Sequence, residues 1–333
     1  MSKVVSIITP AYNSERYLER LLASVLYQTY QDFEFFIVND GSTDATEQIA
    51  LEWAQLFTER GIFYNIVNKE NGHQASCIDT ALKLIEGEYF CWPDSDDWFT
   101  LDSLHKRVVA FERHPEVAII TCNVYQMEDA DPPRFLGFGV NADNRVQVAA
   151  PEQYDFALHM KGRWNPGFHM IRFSAFLAAI PSRSIFTGAN GAQNVQIMLP
   201  VYQHGMSMFL DEPLFWVLGR PDSHSGRRYA DYRKWKHFER EIMTIFIETL
   251  DHMCIDDMER AKAKKTVEAT FAFRLYDRSV LERQWSEART ALSRYVKLER
   301  PGSAVYLKLV MNSFAITRTI VLFINKQIRL KGD

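Results

Sequence analysis

The chain has 333 residues, 47% of them hydrophobic and 24% charged, a composition that excludes a disordered, fibrous or disulfide-stapled protein. Its formal net charge of -4 offers no basic surface for nucleic acid. The four cysteines, Cys77, Cys91, Cys122 and Cys254, lie far apart without C-x-x-C spacing, and are expected as buried apolar residues of a protein kept in a reducing compartment.

The first residues, MSKVVSIITP, read as a strand running into a turn, with no apolar stretch of signal-segment length. Runs of β-branched and aromatic residues predict strands at residues 4–9, 33–38, 63–67, 89–92 and 118–122. Between them lie helical patterns. The first carries Tyr17, Leu18, Leu21, Leu22, Val25 and Leu26 at i, i+3, i+4 spacing behind the capping pair Asn13 and Ser14. The second opens at Asp44, with Glu47 three residues on as in a capping box. Two more span residues 75–85 and 101–113. Strand and helix thus alternate, which predicts an α/β fold: a mostly parallel central sheet with helices on both faces. Ligands of such sheets sit outside the carboxyl ends of the strands. From about residue 130 prolines and glycines mark loops, and after Arg228 the pattern is helical. The expected division is residues 1–225 for the sheet domain and 226–333 for a helical extension. Residues 305–331 form a basic amphipathic pattern with Lys308, Arg318, Lys326, Arg329 and Lys331 and no acid. Such a helix suits either an anionic membrane surface or packing on the main domain or a second copy.

Three strand ends carry the chemistry. The first continues as Thr9-Pro10-Ala11-Tyr12-Asn13, and the second as Asn39-Asp40-Gly41-Ser42-Thr43-Asp44. An aspartate beside a permissive glycine accepts a hydrogen bond from a base while the backbone turns tightly around it, although N-D-G-S is equally a good turn and cap. The fourth strand runs into Trp92-Pro93-Asp94-Ser95-Asp96-Asp97-Trp98. Carboxylates so crowded raise one another's pKa unless a cation relieves them, and Mg2+ or Mn2+, which also binds phosphate oxygens, is the natural relief.

VSIITPAYN, FIVNDGSTD and a G-E-Y-F strand leading into DSDD together resemble the family 2 glycosyltransferases of GT-A fold over residues 3–220. The resemblance implies an inverting transfer, without a covalent enzyme intermediate, from a UDP-sugar or related donor to a glycan or lipid-linked glycan acceptor. By the same resemblance Thr9, Pro10, Ala11 and Tyr12 hold the base, Asp40 and Gly41 meet it, Asp94 and Ser95 lie at the ribose, and Asp96 binds the metal. His224, in the loop after residue 219, completes the metal shell, since family loops there often supply a histidine.

Two departures stand out. Cys77 and Ile78 occupy the neighbourhood where members commonly carry an arginine and an asparagine. Where a Glu-Asp pair usually supplies the base that deprotonates the acceptor, this chain has Gln193-Asn194 within G-A-Q-N-V-Q-I-M-L-P. An amide takes no proton at neutral pH. The G-Q-N-x-Q-x-L-L-P form resembles a variant of bacterial surface-polysaccharide transferases, in which Gln193 and Asn194 orient the acceptor. His169 is the spare candidate for the base, because its unperturbed pKa suits the task. The rival class is a non-catalytic nucleotide-sugar-binding subunit of a glycan-synthesis complex. The expected place of the protein is the cytoplasm, peripheral on the inner face of the membrane.

Overall fold

Residues 5–11 and 33–39 are buried at every position, the pattern of strands covered on both faces, and they form β1 (Val5–Ala11) and β2 (Phe33–Asn39). The computed structural model describes residues 4–130, 133–139, 150–160, 166–188, 193–220 and 231–299. β3 (Phe63–Asn68) and β4 (Tyr89–Cys91) join the first two strands in the parallel order β3-β2-β1-β4. The chain leaves β1 toward β2 on one side and returns to β4 on the other. The carboxyl ends of β1 and β4 therefore flank the point where strand order reverses, where such sheets bind ligands.

The rest of the sheet is mixed. β8 (His169–Arg172) runs antiparallel between β4 and β6 (Val117–Glu128). β9 (Met206–Gly219) lies parallel to β6, β5 (Trp98–Phe99) is antiparallel to β9, and β7 (Arg134–Phe138) pairs with the far end of β6. The prediction of a mostly parallel sheet holds, and β5, β7 and β8 are the strands that pair only antiparallel. β5 matters because it follows the acidic motif directly. Trp98 stacks on Trp216 with ring centroids 5.7 Å apart, while Phe99 meets Phe215 on the opposite face. The two-residue strand thus ties the acidic loop to the carboxyl end of β9.

Helices α1 (Leu18–Leu26), α2 (Thr46–Glu59), α3 (His73–Leu82) and α4 (Ser103–Arg113) cover the sheet. α1 buries Leu18, Leu21, Leu22, Val25 and Leu26, the stripe seen in the sequence. Its expected cap is different. The Ser14 carbonyl, not a side chain, accepts from the amides of Tyr17 and Leu18, and Asn13 reaches across to the next loop. The capping box at Asp44 is also absent. Asp44 accepts from the Thr46 amide, whereas Glu47 accepts from Asn68 at the end of β3, a long-range contact that outcompetes the local one.

Beyond α5 (Ala150–Leu158) and α6 (Phe173–Ala179) comes α7 (Gln193–His204), whose residues 193–202 are all buried. α8 (Tyr232–His252), α9 (Asp257–Leu281) and α10 (Trp285–Leu298) bear out the helical reading of the second half. The chain divides into two compact units, Met1–Ala261 and Lys262–Asp333. That division falls within the first turns of α9, past α8, which packs on α7, whereas the change to helical pattern in the sequence comes at residues 225 and 226. Within the second unit Tyr276 and Val280 pack against Ala288 and Ala291. Cys77, Cys91 and Cys122 are buried as expected, but Cys254, in the turn after α8, is exposed. The basic segment at 305–331 lies outside the described residues. Among the described residues no helix is long and apolar enough to cross a membrane.

Gly167 leads into β8 with φ +86°, and a Cβ there would lie 2.4 Å from the Phe215 ring. Its carbonyl accepts from the fully buried Arg107 guanidinium. Gly167→Ala combines a left-handed backbone with overpacking, so it is expected to destabilise by roughly 2 kcal/mol or more, read as a lowered Tm. An unchanged Tm would contradict this packing.

Candidate active site

Three loops meet at the carboxyl ends of β1, β2 and β4, and hydrogen bonds lock them together. In the loop after β1, Asn13 takes the left-handed conformation, φ +48°, and its Oδ1 accepts from the Thr43 amide at 2.8 Å. The Asn13 and Ser14 amides donate back to Ser42 and Thr46. Ser14 Oγ lies 2.7 Å from Ser95 Oγ, which joins the first loop to the acidic one. Thr9, Pro10 and Ala11 are buried at the end of β1, and Tyr12 projects from it, 53% exposed.

Asp40 directly follows β2, almost fully buried. Its Oδ1 accepts from the Lys69 ammonium at 2.8 Å and the Gly72 amide at 2.9 Å. Gly41 follows at φ +70°, where a Cβ would press on the Asn71 amide nitrogen at 3.1 Å. Glycine is what this turn tolerates. No role was drawn from sequence for Lys69, because its partner is 29 residues away and neither residue type nor spacing announces the pair.

Asp94, Asp96 and Asp97 present carboxylate oxygens within 4.8 Å of one another. Burial, then the neighbouring Asp96 charge, pushes the Asp94 carboxyl up to about 8. Burial likewise raises Asp96 and Asp97, the latter also through its two acidic neighbours. The crowding inferred from the sequence is therefore real. Each carboxylate has its own relief. Arg220, just past β9, pairs with Asp96 at 2.9 Å while lying over the Tyr17 ring. Asp97 accepts from the Leu218 amide at 2.9 Å, anchoring the loop to β9. Asp94 accepts from Gln193 and Gln74, each at 3.4 Å. With Asp97 engaged by backbone, Asp94 and Asp96 match a hard divalent cation that takes one or two carboxylates and completes its shell with phosphate oxygens. The donor set fits Mg2+ or Mn2+. His224 lies outside the described residues.

The structure brings Gln193 and Asn194, at the start of α7, into this site. Asn194 Oδ1 accepts from Trp92 Nε1 at 2.8 Å, and Gln193 reaches Asp94. His169 is placed differently from the sequence expectation. It is 0% exposed within β8, its Nδ1 lies 2.9 Å from Thr121 Oγ1, and its ring stacks at 6.2 Å on the buried Trp92. A proton acceptor must reach the substrate hydroxyl directly or through one water. In this structure His169 packs on Trp92 and its ring is closed off from solvent. Arg220, Asp97 and Gln74 are the neighbours that sequence reasoning left without roles.

The profile of Glycosyl transferase family 2 matches residues 6–179, just over half of the chain. The chain belongs to this family. Among curated relatives, glycosyltransferase GlyA of Streptococcus pneumoniae is 36% identical over 111 residues, covering 32% of this chain and 15% of that protein. The match thus spans a small part of GlyA's length. Among solved structures, S. aureus TarS 1–349 in complex with UDP-GlcNAc superposes with a TM-score of 0.64 at 19% identity, covering 89% of this chain and 81% of that one. The mannosyltransferase PcManGT from Pyrobaculum calidifontis, in complex with GDP-Man and Mn2+, gives 0.50 at 16% identity, covering 96% and 83%. These likenesses show the GT-A fold for the family 2 chain.

The raised carboxyls have a thermodynamic consequence. Between the ordinary value of 3.8 and about 8, the folded metal-free protein binds more protons at Asp94 than the unfolded chain does. That contribution to stability is present at low pH and lost as pH rises through the folded value. The Tm of wild type relative to Asp94→Asn is therefore expected to fall between about pH 5 and 8 without metal, and to recover with Mn2+. A difference independent of pH and of metal would contradict the crowding.

Proposed function

We propose that this family 2 glycosyltransferase catalyses inverting transfer of a sugar from a nucleotide diphosphate donor, a UDP-sugar, to a glycan or lipid-linked glycan acceptor in surface polysaccharide synthesis. The observation that carries the reading is the Asp94, Asp96 and Asp97 cluster at the strand-order reversal, beside a preorganised nucleotide loop. The TarS complex with UDP-GlcNAc supports the donor class, and the PcManGT complex with Mn2+ supports the cofactor.

In this reading Thr9, Pro10, Ala11 and Tyr12 hold the base, Asp40 accepts its N–H, and Gly41 lets the backbone pass close to it. Asp94 and Ser95 position the ribose. Asp96 holds Mg2+ or Mn2+, with His224 as a further ligand. When bound, the ion stabilises the negative charge that gathers on the departing nucleoside diphosphate. Arg220 counters the burial that raises the Asp96 carboxyl before the donor arrives. Gln193 and Asn194, fixed by Asp94 and Trp92, orient the acceptor hydroxyl through hydrogen bonds without taking its proton. The basic pattern at 305–331 supports a place on an anionic membrane surface facing the cytoplasm, where a lipid-linked acceptor would be met.

The amides at 193 and 194 favour one other reading, a non-catalytic nucleotide-sugar-binding subunit. A panel of nucleotide sugars with Mn2+, assayed for nucleoside diphosphate release and transfer, separates the two. Metal-dependent turnover is expected, with Asp96→Asn lowering it by about 10²-fold or more while the circular dichroism spectrum is unchanged. Full activity in excess chelator would overturn metal dependence. Tight donor binding without turnover on any donor would establish the binding subunit instead.

A further inference from the structure

The turn that follows β3, Lys69-Glu70-Asn71-Gly72, is built around the Asp40 carboxylate. The Lys69 amide donates to the Asn39 carbonyl at 3.0 Å, and Asn71 Nδ2 donates to the Asp40 carbonyl at 3.1 Å, so the ends of β2 and β3 are tied as one unit. Lys69 Nζ and the Gly72 amide converge on the same oxygen, Asp40 Oδ1, at 2.8 and 2.9 Å. The pair is mostly enclosed, with 19% of the Lys69 side chain and 4% of the Asp40 side chain exposed. Gly72 leaves the room this needs, since a Cβ there would stand 2.8 Å from Lys69 Nζ and 2.7 Å from Ser76 Oγ.

The charge state of Asp40 decides what it can recognise. An ionised carboxylate only accepts hydrogen bonds, whereas a protonated one also donates. At the same ring position uracil carries an N–H and cytosine a bare nitrogen acceptor. We infer that Lys69 is the positioning residue that sets base specificity: by holding Asp40 as a carboxylate, it makes the site take uridine nucleotides and refuse cytidine ones. The inference rests on the reading of Asp40 as the acceptor for the base. Burial pushes the Asp40 carboxyl up, and the Lys69 hydrogen bond, the Gly72 amide and the Lys69 charge more than reverse this, leaving it below the ordinary value. Without Lys69 only the Gly72 amide and the Cys77 thiol remain against burial, the Asp40 carboxyl rises, and its protonated form offers cytosine the donor it lacks. The other titratable group against this carboxylate is the Cys77 thiol of α3, which burial raises so that it stays neutral. Glu70 and His73 flank Lys69 and Gly72 in sequence, and they are unchanged in every variant compared below.

The test is calorimetric binding of UDP and of CDP, both with saturating Mn2+, between about pH 5.5 and 8, for wild type, Lys69→Met, Lys69→Gln, Lys69→Arg and Asp40→Asn. Comparing the two nucleotides cancels any contact of Lys69 with the diphosphate, which they share. The preference for UDP is expected to be flat with pH in wild type and Lys69→Arg. In Lys69→Met it should shrink about tenfold or more, and most at low pH. Lys69→Gln, which keeps a donor but not the charge, should shift the same way and serves if Lys69→Met does not fold. A wild-type preference retained by both neutral variants at every pH would overturn the role of Lys69. No preference in wild type, or one that survives Asp40→Asn, would overturn the reading of Asp40 itself.

Discussion

Three carboxylates held within 4.8 Å of one another repel, and the site is organised around containing that repulsion. A loop free to relax would spread them. Here β4 fixes one end and β5, stacked through Trp98 on Trp216, fixes the other. Asp97 is held by a backbone amide of β9, and Arg220 of the same strand end supplies the positive charge at Asp96. Much of the mixed half of the sheet thus serves to keep an unfavourable charge arrangement in place. Strain of this kind is stable only where surrounding structure overdetermines it, and it makes the cluster receptive to a cation.

The same constraint explains why the neighbouring loops are locked. Binding a nucleotide diphosphate with a metal is favourable when the groups that meet it are already ordered, because their entropy is lost on folding rather than on binding. Asn13, Ser14, Ser42, Thr43 and Thr46 bind one another across the β1 and β2 loops, and Ser14 extends the network to Ser95. Lys69 and Gly72 do the same for Asp40 from the β3 side.

The parallel half of the fold was legible because β1 and β2 are buried on both faces and read as largely apolar runs, and because α1 carries a clean stripe. The acidic motif was legible because three carboxylates at a strand end have few structural uses. Other features were set by partners distant in sequence. Glu47 left its expected cap for Asn68, Asn13 crossed to Thr43, and Lys69 found Asp40. At His169 the sequence left burial open. A neutral-pH titrant in the right part of the chain suggested a base, but a strand position between β4 and β6 places its ring in the interior. Gln193 and Asn194 stood out by motif, and their contacts with Asp94 and Trp92 needed the structure.

The central claim is that Asp96, in the crowded cluster with Asp94, holds a divalent cation shared with a nucleoside diphosphate. Anomalous diffraction at the manganese edge, from crystals grown with Mn2+ and UDP, tests it most directly. The account predicts a single strong peak within bonding distance of an Asp96 oxygen and of the diphosphate, with Arg220 drawn off Asp96. Manganese absent from this cluster, with UDP bound and Arg220 still paired to Asp96, would contradict it.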